Sequence, residues 1–166
     1  MTARLAAADL AVFRLLRTAG HTPRAERAVA AFSKLGEHAA VWLAIGGAGI
    51  ALDGGRRPRW GRATATVAGA YLLNTALKLV VRRQRPDVDG LPPLTGTPTG
   101  LSFPSAHATS SFAGAAVFAP LAPGGAGPLL ALASALAVSR SYLGVHWPSD
   151  VLSGAGLGTA LGRALR

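Results

Sequence analysis

Apolar and polar positions follow two different regimes along the chain. From residue 4 to residue 36 they alternate at helical spacing. Residues 4–17 set Leu5, Leu10, Phe13 and Leu16 on one side and Arg4, Asp9, Arg14 and Arg17 around the other, and residues 24–36 form a second segment of this kind. Neither segment is apolar enough to span a bilayer, so both read as amphipathic helices lying in an interface. Further on the pattern becomes long uncharged runs at about 38–52, 63–77, 105–121, 126–139 and 151–162, separated by breaks rich in Arg, Pro or Gly. From Gly90 to Ser139 there is no Asp, Glu, Lys or Arg. A stretch of that kind is hard to bury in so small a globule, which makes lipid its natural solvent. The fold expected is an all-α polytopic membrane bundle of about five transmembrane helices. Residues 1–37 supply the N-terminal amphipathic interfacial helices, and residues 38–166 the transmembrane domain.

Composition narrows this further. The chain has 166 residues, room for one compact domain. Only 14% of them are charged, against roughly 25% in an ordinary soluble domain. The runs are rich in Gly, Ala, Ser and Thr, which let helix backbones approach closely where lipid gives no hydrophobic drive between helices. A net charge of +10 invites a nucleic-acid reading, but the basic residues are scattered at segment ends and aromatics are 6% of the chain. That is too sparse for stacking platforms, so no nucleic-acid partner is expected. Arg at segment ends instead fits side chains that reach the headgroups while the runs between them cross lipid. There is no cysteine, hence no disulfide or thiolate chemistry. Leu5–Leu16 contains Asp9 and Arg14, so no signal peptide is expected there. No internal repeat of the kind that builds many transporters is visible. Trp60, Trp147, Tyr71 and Tyr142 lie near expected helix ends, as interfacial aromatics or as core packing.

Three clusters carry candidate chemistry. Lys78 and Arg85, seven apart, would share a helix face two turns apart, with Pro86 limiting the helix; interfacial anchoring is the plain alternative. Phe103-Pro104-Ser105-Ala106-His107 opens the third run, and a helix start built this way offers free backbone N–H groups to a phosphate, with Ser105 as a cap and hydroxyl donor. His107 alone reads equally as an interfacial polar residue. Ser139-Arg140 and His146 through Asp150 form the third cluster. If Pro148 starts a helix, Asp150 lies in its first turn and can reach back to His146, fixing one ring nitrogen and freeing the other to attack. Taken singly, Asp150 is a favourable charge at a helix N-terminus and Arg140 an anchor. Five spans, however, bring all of these residues to one membrane face. The result is three cations around a helix N-terminus, two histidines and one orienting carboxylate, with no carboxylate cluster for a metal.

Lys78-x6-Arg85-Pro86, Pro104-Ser105-Ala106-His107 and Ser139-Arg140-x5-His146-x3-Asp150 together resemble the three-part signature of the type 2 phosphatidic acid phosphatase superfamily, over about residues 67–161. Where the family's second motif commonly has Gly this chain has Ala106, which keeps the N–H and adds a methyl. The resemblance implies a metal-independent, cofactor-free lipid phosphatase working through a phosphohistidine. It makes His146 the nucleophile, Asp150 its orienting partner and His107 the acid for the leaving group. Lys78, Arg85, Arg140, Ser105 and the Ala106 N–H become the phosphate ligands. It also implies that the family's usual six spans are reduced here, with residues 1–37 replacing the first. The partners expected are the bilayer and a lipid phosphate. Among the family's substrates, a phosphomonoester on a polyprenyl-linked ribose fits this small Ala/Gly/Arg-rich chain first, with the loop 87–103 offering Thr95, Thr97, Thr99 and Ser102 to a sugar or serving as a plain connector. Polyprenyl pyrophosphate, phosphatidic acid and phosphatidylglycerophosphate follow; a small transporter or scaffold is the non-enzyme alternative. The face of the membrane stays open, because the basic N-terminal helices oppose Arg56, Arg57, Arg59, Arg62, Arg163 and Arg166 in the positive-inside balance.

Overall fold

A computed structural model describes residues 3–165, so Arg166 lies outside the described residues. Among these the chain is all-α: α1 Ala3–Thr18, α2 Pro23–Ser33, α3 Ala40–Leu52, α4 Arg57–Val81, α5 Ala106–Phe118, α6 Ala126–Tyr142 and α7 Pro148–Ala164. Local chemistry sets several of the ends. Thr22 caps α2, its Oγ1 accepting from the Ala25 N–H at 3.1 Å, with Pro23 at the start of the helix. Pro148 opens α7, whose Asp150 accepts from the Trp147 N–H at 2.9 Å. α4 stops where Arg82 turns left-handed.

Helix α5 is the axis of the bundle. It packs against α4, α6 and α7, and ten of its thirteen residues are buried. Its contact with α7 is close because Gly154, Gly158 and Gly162 recur every fourth residue along the facing side. A Cβ at Gly158 would stand 2.2 Å from the Thr109 carbonyl oxygen, and one at Gly154 2.6 Å from that of Ser105. Backbone-to-backbone packing of this kind is how helices associate in lipid. Trp42, Trp60, Val67, Phe118 and Leu136 fill the apolar core. Polar side chains inside pair with one another: Trp42 Nε1 donates to Ser111 Oγ at 2.9 Å and Asn74 Nδ2 to Thr109 Oγ1 at 2.8 Å. Meanwhile Leu72, Leu79, Val80 and Leu152 are each at least 66% exposed. An apolar exterior around a polar, Gly-packed interior is the arrangement of a membrane-associated bundle.

Several expectations change. Among the described residues only two helical stretches, Pro23–Leu52 and Gly54–Val81, are both apolar enough and at least 18 residues long, so five full-length spans are not seen there. The uncharged runs do form α3, α5, α6 and α7, but these have 13, 13, 17 and 17 residues. The stretch 23–52 joins the amphipathic segment to the first expected span, though the helical path breaks inside it: Glu37 leaves helical geometry, and His38 and Ala39 adopt left-handed φ of 51° and 61°. α1 buries Asp9, Phe13 and Arg17, while Leu5 and Leu15 face outward. The expected face holds in part, with Phe13 buried and Leu10 and Leu16 half-buried, but Asp9 and Arg17 join it because they find partners inside. Arg17 Nη2 donates to the Pro92 carbonyl at 2.6 Å. Trp60 and Trp147 are packing residues, with ring centroids 5.4 Å from Phe118 and 5.3 Å from Phe13.

Candidate active site

The N-termini of α5 and α7 meet at one end of the bundle, joined by a hydrogen bond from the Ser105 N–H to the Asp150 carbonyl at 3.0 Å. A cavity of about 230 Å³ opens there. Lys78, Arg85, Ala106, His107, Arg140 and His146 line it, together with Glu37, His38, Tyr71, Thr75 and Thr97–Thr99. Six of the eight expected site residues thus share one wall; Ser105 and Asp150 are buried behind it. A second cavity of about 350 Å³ near Arg59, Arg62 and Leu121 holds none of them.

His146 sits in the turn between α6 and α7 and is almost fully buried. Its Nε2 lies 3.2 Å from Arg85 Nη1, and its Nδ1 lies 3.5 Å from Asp150 Oδ2. Because an arginine can only donate, Nε2 must accept, which puts the ring proton on Nδ1 toward the carboxylate. Asp150 stands beside the ring, but no hydrogen bond joins them, and Nδ1 is buried without a protein partner. Burial first, then Arg85, Lys78 and Arg140, push the imidazole well below its usual range, so it is neutral at physiological pH.

Arg85 is not on the α4 helix face. Past the left-handed Arg82 the chain runs extended, and Gln84 bridges Leu101 antiparallel, since the helix cannot continue toward Pro86. Arg85 is fixed by donation from Nε to the Thr99 carbonyl at 2.8 Å and from Nη1 to the Val145 carbonyl. Burial lowers its pKa to about 10, and it remains cationic. Lys78 reaches the same cavity from the last turn of α4, its Nζ donating to the Ser102 carbonyl at 3.0 Å. Arg140 donates to Ser33 Oγ at 2.7 Å, and Ser33 also offers its carbonyl to His107 Nε2 at 3.1 Å. Ser105 occupies the cap position of α5, but its hydroxyl caps nothing and has no protein partner. Ala106 needs no glycine, because among described non-glycine residues only His38, Ala39 and Arg82 have positive φ. The loop 87–103 is no slack connector. Pro92, Leu94 and Thr99 are tied by hydrogen bonds to Arg17, Leu143 and Arg85, while Thr97 and Thr99 line the cavity and Ser102 is buried beneath it.

Sequence reasoning missed the support behind Asp150. Arg83, next to the motif residue Arg85, turns inward and donates to Asp150 Oδ1 at 2.8 Å, Ser149 Oγ at 2.7 Å and Asp9 Oδ2 at 2.7 Å. Asp9 also accepts from the Ser149 N–H at 2.9 Å and its hydroxyl at 2.6 Å. Burial pushes the Asp9 carboxyl up, but the bonds from Ser149 and Arg83 outweigh it and hold the group below the usual carboxylate range. The available signal was Asp9, Phe13 and Arg17 at successive fourth positions, a face that makes sense only if the acid and the base have partners. Ser33 and Gly36 gave no signal. A Cβ at Gly36 would stand 2.6 Å from His107 Cδ2, so only glycine fits where that segment crosses the imidazole.

Three convergent cations beside a neutral, oriented imidazole form a site for a phosphate and a nucleophile. Among the described residues no group of three His, Cys, Asp or Glu converges as metal ligands would. Residues 59–166 match the PAP2 superfamily, and the chain belongs to it, as a membrane-associated lipid phosphatase of the PAP2 type. It is 45% identical over 127 residues to decaprenylphosphoryl-5-phosphoribose phosphatase of Mycolicibacterium smegmatis, covering 75% of this chain and 68% of that one. The fold is similar to the PAP2-type phosphatidylglycerolphosphate phosphatase of Bacillus subtilis (TM-score 0.80, 25% identity, 99% of this chain and 85% of that one). It is equally similar to LpxE of Aquifex aeolicus (TM-score 0.80, 25% identity, 93% and 92% covered).

Proposed function

We propose that this protein removes the 5-phosphate of decaprenylphosphoryl-5-phosphoribose, with His146 as nucleophile. The observation that carries the mechanism is His146 Nε2 unprotonated in a cavity walled by Arg85, Lys78 and Arg140. The three cations hold the equatorial phosphate oxygens, assisted by the Ser105 hydroxyl and the Ala106 N–H at the start of α5. Nε2 forms the P–N bond as the bond from phosphorus to the leaving oxygen breaks. His107, beside the bound phosphate, gives a proton to that oxygen. Asp150 steadies the Nδ1–H as the ring becomes cationic. A water then attacks the phosphohistidine, His107 takes back a proton, and inorganic phosphate leaves. The substrate assignment is supported by the 45% identity to the mycobacterial enzyme of that name.

In this reading α3 to α7 cross the bilayer, with residues 1–37 at its interface and 38–166 forming the phosphatase domain. At 1.5 Å per residue α5 is only ~20 Å long, which suits a helix whose first turn stops at a phosphate site below the headgroups. The test is phosphate release by detergent-purified protein from the ribose lipid, a polyprenyl pyrophosphate, phosphatidic acid and phosphatidylglycerophosphate. Activity should persist in excess EDTA and be blocked by vanadate, whose trigonal-bipyramidal form matches the cation cradle. A kcat/KM on the ribose lipid at least tenfold below that on another candidate would overturn the substrate. Loss on chelation, restored by magnesium, would overturn the mechanism.

A further inference from the structure

The cavity is longer than a phosphate needs, and its far part is built from residues outside the three motifs. Tyr71, Thr75 and Lys78 follow one another along one face of α4, so Tyr71 stands ~10 Å from the Lys78 end. Across from it lies the break between α2 and α3, where His38 Nδ1 meets the Tyr71 hydroxyl at 2.8 Å. Two successive non-glycine residues there, His38 and Ala39, are held in left-handed geometry. Such backbone is costly and persists where surrounding structure imposes it, often at binding sites. The same break carries Glu37, an acid in a cavity whose other charged lining residues are the cations Lys78, Arg85 and Arg140. Among the described residues Glu37 has no ion-pair partner. A carboxylate at this place repels a phosphate and accepts hydrogen bonds from hydroxyls.

We propose that Glu37, His38 and Tyr71 form a subsite for the leaving group, selecting a lipid phosphate whose headgroup presents free sugar hydroxyls between the reacting phosphate and the lipid chain. The proposal rests on the phosphatase reading above and adds the part of the site that chooses among substrates. Glu37 accepts from a vicinal diol, while the His38–Tyr71 pair closes the end of the subsite. A polyprenyl pyrophosphate would bring its second phosphate against Glu37, and phosphatidic acid has no free hydroxyl to offer. In the ribose lipid the phosphodiester is a sugar ring away from the reacting phosphate.

Two measurements test this on the full-length protein in detergent. In the first, kcat/KM is compared for polyprenylphosphoryl 5-phosphoribose and a polyprenyl pyrophosphate of equal chain length. Glu37→Ala should lower the first about tenfold, mainly through KM, and raise the second. Tyr71→Phe, which removes one oxygen and keeps the ring, should weaken the ribose lipid in the same sense by a smaller factor. Equal losses on both lipids, or no loss on the ribose lipid, would overturn the subsite. In the second, the affinity of unmodified and Glu37→Ala protein is measured for polyprenylphosphoryl ribose, which lacks the 5-phosphate. About tenfold weaker binding in the variant supports the subsite even if no lipid is hydrolysed, an outcome that would sink the phosphatase reading alone. Unchanged binding with turnover intact sinks the subsite alone.

Discussion

The two histidines that face one another across the cavity are held in contrasting ways. His146 stands beside a charged chain, with Asp150 3.5 Å from the ring, Arg83 bonded to Asp150, and Asp9 and Ser149 bonded to Arg83. His107 is held by one backbone carbonyl, that of Ser33, at a place where Gly36 passes directly over the ring. In the proposed mechanism His146 keeps one orientation through two phosphoryl transfers, and a carboxylate fixed by an arginine beside it favours that. A general acid must pass a proton out and take it back, and a fixed carboxylate partner would hold that proton too firmly. Thus α1, although outside the family match at 59–166, braces the Asp150 beside His146, while the break after α2 places His107.

If His146 attacks phosphorus as proposed, removing it should have the largest effect. His146→Ala should lower phosphate release by ~10⁴-fold or more while lipid binding persists. Substantial residual turnover would mean that water attacks directly. His107→Ala comes next, with a loss of ~10²–10⁴ on a lipid substrate and much less on p-nitrophenyl phosphate, whose leaving group needs no proton. An equal loss on both would remove the difference in role between the two rings. Asp9→Asn should then cost ~10–100-fold in kcat at nearly constant KM, because it loosens Arg83 and through it Asp150. If KM rises instead, α1 acts on substrate binding and not on the nucleophile.

The smallest expected effect is a change in pH dependence. His146 must be neutral to attack, and burial and its three cationic neighbours keep its pKa well below 6.5. The acid-side fall in kcat/KM should therefore lie below pH 6.5, with the group fully competent above it. Arg85→Met removes the nearest cation, so the imidazole pKa rises and the inflection moves to higher pH, whatever happens to the height of the profile. An inflection that stays in place would assign the limb to another group.

The sequence alone determined the classes of helix, the all-α membrane-associated character and the three motifs, because these are local. Uncharged runs of small residues form helices wherever they are placed, and Pro104, Pro148 and the acid at 150 mark helix starts through their own backbone preferences. It also carried Lys78, Arg85, His107, Arg140 and His146 as one group, since alternating helices return these ends to one side. Only the tertiary structure decided which charged residues turn inward. Arg82 and Arg83 are neighbours of the same type; one caps α4 in left-handed geometry, and the other becomes the link between Asp9 and Asp150. Asp9 and Arg17 face inward against the apolar pattern of α1 because their partners come from 74 to 140 residues away in the chain, a distance no local periodicity can register. The break at 37–39 is invisible for the same reason. Nothing in Glu37-His38-Ala39 calls for left-handed backbone, which is imposed by packing Gly36 on His107 and His38 on Tyr71.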